Sequence, residues 1–213
     1  MPHVTVARLR EALAPSFPGV DTVFRRLRQG GVLPAGTAGR NGVGSAQLEM
    51  RQAALALIAL ASGVAPIEAP TEARRIGGYV LRARAVWLSD QNRWFARYIC
   101  DESRPTYLDF LEGEHGIARG ALPNALPGKP FTFAIGPEDL AAVMLPPESG
   151  GGMLLFTPDE PGPPQPATER VIHGSVIATV ASLFGPVEQS EISPVLAAQA
   201  HALFGLASIQ RGA

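Results

Sequence analysis

Val20-Asp21-Thr22-Val23-Phe24-Arg25-Arg26-Leu27-Arg28-Gln29-Gly30-Gly31-Val32-Leu33-Pro34 is the stretch on which the reading of this chain turns. Val20, Val23, Phe24 and Leu27 fall three and four residues apart, the spacing that gathers apolar side chains on one face of an α-helix. Thr22, Arg25, Arg26, Arg28 and Gln29 are left for the outer face. Gly30-Gly31 stops the helix, and Leu33, standing before a proline, is pushed toward extended backbone.

Working outward, Val6, Leu9 and Leu13 repeat the same spacing upstream, so a first short helix is predicted that stops at Pro15. Ser16-Phe17-Pro18-Gly19 is the turn between the two helices. Downstream, Ala35 to Gly44 is a glycine-rich connection with Arg40 near its tip. Ser45 is a candidate cap for a third helix through Leu48 and on to Ala61, with Leu48, Leu55, Ile58 and Ala59 as its buried side and Ser62-Gly63 as its end.

This order of helix, turn, helix, Gly30-Gly31-Val32-Leu33-Pro34, glycine-rich hairpin and further helix resembles the winged helix-turn-helix of MerR-like regulators. Phage excisionases and phage terminase small subunits use the same scaffold. The resemblance covers about the first 62 residues and implies duplex DNA as the partner. The second helix would be the reader, with Arg25, Arg26 and Arg28 as phosphate ligands and Thr22 and Gln29 able to reach base edges. Arg40 would approach a minor groove or a phosphate. The same residues also fit a solvated arginine-rich face in which Asp21 and Arg25 form a helix pair.

Charge supports a division of the chain. Residues 1–51 hold seven basic against three acidic residues, a net +4, whereas the remainder holds eleven against sixteen, a net −5. The overall −1 therefore hides a basic head and an acidic body, an asymmetry that accompanies an anionic partner for one half. With 46% apolar and only 17% charged residues among 213, the chain buries a sizeable core and is neither a polyelectrolyte nor a uniformly basic coat. One cysteine, Cys100, excludes an intramolecular disulfide and a cysteine-clustered metal centre. Residues 1–11 lack an apolar stretch of signal-peptide length, and the longest apolar run, Ala53 to Ala61, is far short of the roughly 20 residues a bilayer needs. A cytoplasmic protein with no membrane partner is predicted.

In the body, Pro66 to Trp87 reads partly as a helix that Thr71 can cap and Gly77-Gly78 weakens. Arg93 to Cys100 and Pro105 to Leu111 read as two strands of a hairpin, Phe131 to Ile135 and Met153 to Phe156 as further strands, and Gly136 to Met144 as a short helix. The proline-dense Thr157 to Thr168 is a linker, and Val171 to Phe184 and Pro194 to Ile209 are apolar helices.

Candidates for chemistry are few. His3, His115, His173 and His201 stand singly, at no metal-ligand spacing, and His173 and His201 read as partly buried or capping. Glu112-Gly113-Glu114-His115 is a possible carboxylate–imidazole pair but reads better as a solvated loop. Gly39 to Ser45 is a possible phosphate nest that lacks the Gly-Lys-Ser/Thr of a nucleotide loop. Trp87, Trp94, Phe95, Tyr98, Tyr107 and Phe110 make either a sheet core or a stacking and partner-binding patch. No catalytic constellation, cofactor or metal is predicted. The expected architecture is α+β: a winged helix-turn-helix-like helical module at residues 1–64, then a mixed α+β part at 65–213 with a small antiparallel sheet and C-terminal helices. The function expected is a DNA-binding transcriptional regulator that acts as a homo-oligomer or with a protein partner held by the acidic region. A phage-type DNA-packaging or recombination adaptor and a protein-interaction or structural protein are the alternatives.

Overall fold

The structure, a computed structural model, describes residues 4–35, 47–88, 93–99, 104–113, 115–121, 131–136, 139–144, 152–160 and 170–186. Helices α1 (Val6–Leu13) and α2 (Val20–Gln29) lead into α3 (Met50–Ser62) and α4 (Ala69–Gly77). Strands β1 (Val80–Leu88) and β2 (Arg93–Tyr98), helices α5 (Tyr107–Glu112) and α6 (Ile117–Ala121), strands β3 (Thr132–Ile135), β4 (Ala141–Met144), β5 (Met153–Thr157) and β6 (Arg170–Ile172), and helix α7 (Gly174–Phe184) follow. The architecture is α+β. The six strands form one antiparallel sheet in the order β2-β1-β5-β4-β3-β6.

Local signals explain most of the helices. Thr5 caps α1, its Oγ1 accepting from the Arg8 amide at 3.3 Å. Val6, Leu9 and Leu13 are the buried stripe, as their spacing predicts. In α3 the buried set runs almost round the helix: Ala53, Ala54, Ala56, Leu57, Ile58, Ala59 and Ala61. A helix apolar on all sides belongs inside. Here α3 packs against α2, α4 and α5 and against β6, which makes it the axis of the molecule.

One face of the sheet closes the core. Cross-strand partners Leu81 and Phe156, Leu154 and Val143, Val143 and Phe133, and Phe133 and Ile172 share that face, and all are buried. Helix α5 sits on it, with the Tyr107 ring edge-on to Phe133 at 5.6 Å and to Phe156 at 5.5 Å. The Tyr107 hydroxyl donates to the Ala134 carbonyl at 3.0 Å, so its one polar atom is satisfied. Residues of α1 and α2 belong to the same connected apolar core as those of the sheet.

Several predicted elements are corrected. Residues 107–112 are helical and not a strand, because Thr106 and Asp109 form a capping box in which the Asp109 amide donates to Thr106 Oγ1 at 3.2 Å and the Thr106 amide to Asp109 Oδ2 at 2.9 Å. The partner of β2 is therefore β1, in the register Ala83 to Tyr98 and Trp87 to Trp94. The helix placed over Pro66 to Trp87 is confined to Ala69–Gly77, starts from Glu68 rather than Thr71, and gives way to β1 after Gly78. The helix placed over Gly136 to Met144 is a hairpin, with Asp139 in the left-handed region at φ 58° and the Gly136 amide returning to the Leu140 carbonyl at 2.7 Å. Helix α3 begins at Met50, where Glu49 and Gln52 form its capping box, while Ser45 lies outside the described residues. Arg170–Ile172 is a strand that precedes α7, and Pro194 to Ile209 lies outside the described residues.

The left-handed Asp139 is held by two donors. Arg75 of α4 bonds it together with Glu72, and the hydroxyl of buried Tyr79 donates to Asp139 Oδ1 at 2.8 Å. Burial pushes the Asp139 carboxyl up, but the bonds from Arg75 and Tyr79 outweigh it and hold the group below the usual carboxylate range. A carboxyl depressed on folding contributes stability above its unfolded pKa, and loses it as pH falls through the folded value. Asp139→Asn, which keeps a residue tolerant of positive φ, is expected to destabilise the fold by about 1–3 kcal/mol at neutral pH. In thermal unfolding, the gap between the two proteins should close as pH drops below about 4.

Candidate nucleic-acid interface

The candidate interface is the outer side of α2. Its inner side, Val20, Phe24 and Leu27, is buried with Val32, Leu33 and Leu48. That burial fixes the rotation of the helix. Thr22, Arg25, Arg26, Arg28 and Gln29 are consequently all exposed, so the structure brings together on one surface five of the six residues that the sequence nominates. Arg40 lies outside the described residues, as do Ala35's glycine-rich successors up to Ala46.

Among the described residues Arg25 and Arg28 enter no ion pair and no side-chain hydrogen bond, while Arg26 Nη1 donates to Gln29 Oε1 at 3.0 Å. The predicted Asp21–Arg25 pair is not formed. Asp21 instead meets Arg10 of α1 at 3.4 Å, an exposed contact worth well under about 1 kcal/mol. Arg10, Asp21, Phe24, Arg25, Arg28 and Gln29 together line an open depression of about 470 Å³ between the two helices. Arg10 is thus a residue of the candidate site that the sequence reading missed. Its signal was position: it follows buried Leu9 on the polar side of α1, but only the packing of α1 on α2 carries it to the arginines of the second helix.

The orientation of α2 is set at its C-terminus. A Cβ at Gly30 would stand 2.5 Å from Cβ of Pro70, so only glycine lets the end of α2 lie on the first turn of α4. Arg74 of α4 donates from Nη2 to the Gly30 carbonyl at 2.6 Å, and Gly31 takes φ 66°, turning the chain so that the Val32 amide caps the Leu27 carbonyl at 2.9 Å. At the other border, Thr5 and Gln47 pair as antiparallel neighbours and the Leu48 amide donates to the Val4 carbonyl at 2.9 Å. The residues that enter α3 therefore run beside the segment that precedes α1.

The remaining candidates fall in several different places. His115 is only 4% exposed and lies between the rings of Phe110, at 4.8 Å, and Phe131, at 5.1 Å, which corrects the reading of residues 112–115 as a solvated loop. Glu112 does not pair with it: Arg51 of α3 bonds Glu112 at 3.0 Å and Asp109 at 3.1 Å, tying α3 to α5. Burial raises the Glu112 carboxyl, against the opposing pull of Arg51. His173 is exposed at the N-cap of α7 without capping through its side chain, and His3, His201 and Cys100 lie outside the described residues. The aromatic group divides: Tyr107 and Phe110 are core, whereas Phe95 and Tyr98 are exposed. Among the described residues no group of three or more His, Cys, Asp or Glu is placed to hold a metal ion, and no helix is long and apolar enough to cross a membrane.

Gly30→Ala is expected to destabilise the protein by about 1–3 kcal/mol, because backbone or Pro70 must move to admit the methyl group. Chemical denaturation checks the magnitude. Pro70→Gly combined with Gly30→Ala should recover part of the loss, since it removes both the Cβ and the Cγ that the new methyl group would meet. A scan of the chain against protein-family models, a search of curated proteins and a search of solved structures each found no match.

Proposed function

We propose that this protein is a DNA-binding regulator of transcription that acts in the cytoplasm through a winged helix-turn-helix-like head, with α2 lying along duplex DNA. The observation that carries the reading is the outer face of α2, where Arg25 and Arg28 stand exposed without an ion pair among the described residues. Guanidinium groups on a packed helix suit phosphate oxygens, and Thr22 and Gln29 on either side of them suit base edges. The depression beside Arg10 is open and one-sidedly cationic, holding three arginines and one carboxylate. Arg40 is read as a further contact to a phosphate or a minor groove. A few phosphate contacts from a single head give weak, salt-sensitive binding, so the regulator is read as a homo-oligomer on DNA.

The test is a binding titration with random-sequence duplex DNA at several salt concentrations. Wild type should bind with an affinity that falls steeply as salt rises. Arg25→Ala/Arg26→Ala/Arg28→Ala should weaken binding by roughly tenfold or more and flatten the salt dependence by about one per lost phosphate contact, with an unchanged unfolding midpoint. Equal binding by the two proteins would leave the head a protein-interaction module and end the DNA reading.

A further inference from the structure

We infer that the β2 edge of the sheet, unpaired among the described residues, is a self-association surface, along which β2 pairs antiparallel with β2 of a second copy. Strand β2 ends the sheet and has a neighbour on one side only among the described residues. The Ile99 amide bonds the Arg82 carbonyl at 2.8 Å, and in this register Arg97 and Phe95 are the residues whose backbone groups face β1. The backbone groups of Trp94, Ala96 and Tyr98 therefore point away from the sheet, in a row with no ladder partner among the described residues. Three such residues in a six-residue strand, with Phe95 at 53% and Tyr98 at 78% exposure, form a template for a further strand.

The sequence of the strand selects a second copy as the occupant. Antiparallel self-pairing places a two-fold axis perpendicular to the sheet, so that each residue meets one on the same face and at the same parity. Centred on Ala96, the register sets Phe95 opposite Arg97 of the other copy, twice, and puts Tyr98 at the position of Trp94, also twice. The outward-facing residues 94, 96 and 98 are then the ones that exchange hydrogen bonds, as their backbone direction demands. Sliding by one step in either direction sets Arg93 against Arg97 or Arg97 against itself, and both oppose like charges. The pairing is isologous and closes, leaving no further free copy of this edge.

Sedimentation of the full chain without DNA tests this independently of the DNA reading. Wild type should show a concentration-dependent monomer–dimer equilibrium. Phe95→Lys, at an exposed position, should weaken it by roughly tenfold, because it opposes Arg97 with a second cation, whereas Phe95→Glu should preserve it. Ala96→Pro removes an outward amide and should abolish dimerisation while leaving the bonds to β1 intact. In a Cys100→Ser background, Ala96→Cys should form a symmetric disulfide on oxidation, since paired α-carbons at the axis lie about 5.5 Å apart. A chain that stays monomeric at every concentration overturns the inference, as does a dimer indifferent to both Phe95→Lys and Ala96→Pro.

Discussion

The burial of α3 is the constraint on which the rest of the structure depends. A helix made of alanine, leucine and isoleucine on nearly every side is satisfied only when other elements surround it, and α2, α4, α5 and β6 do so. Its alanines let those neighbours approach closely, and its glutamate and glutamine capping box ends the helix without exposing amides to the core. The N-terminal helices and the sheet thereby become parts of one apolar cluster. Where α2 points is decided by this packing, with Gly30 on Pro70 as the final restraint.

Polar groups that bridge distant elements are few and well partnered. Arg75 joins α4 to the β3–β4 turn through Asp139, and Arg51 joins α3 to α5 through Asp109 and Glu112. Each bridges segments about sixty residues apart in sequence, and each keeps one carboxylate partly shielded. These clusters hold the layers together. The surface cations of α2 differ from them in lacking such partners.

How much of this was legible in the sequence depended on the range of the interaction involved. Val6, Leu9, Leu13 and Val20, Phe24, Leu27 declared two helices and their inner faces, because a 3.6-residue period is a local property. From those stripes the exposed site residues followed by subtraction. The Thr106–Asp109 capping box was equally local and was overlooked in favour of the aromatic, strand-like look of residues 105–111. Strand β4 was hidden for a different reason: Pro137 and the acids before Leu140 imitate a helix start, whereas Asp139 adopts left-handed backbone stabilised by Arg75 and Tyr79 from more than fifty residues away. Strand order and the joining of α3 to α5 were beyond reach, since both rest on pairings between segments far apart in the chain.

The outer face of α2 contributes little to holding the molecule together. Apart from the contact of Arg26 with Gln29 and that of Asp21 with Arg10, its polar side chains make no side-chain bond among the described residues, and the core beneath is complete without them. Residues there are accordingly replaceable at small thermodynamic penalty, while any change at Gly30 or along the alanines of α3 is not. Substitution can thus vary the chemistry of this surface independently of whether the protein folds, which leaves the scaffold evolvable at its surface while fixed in shape.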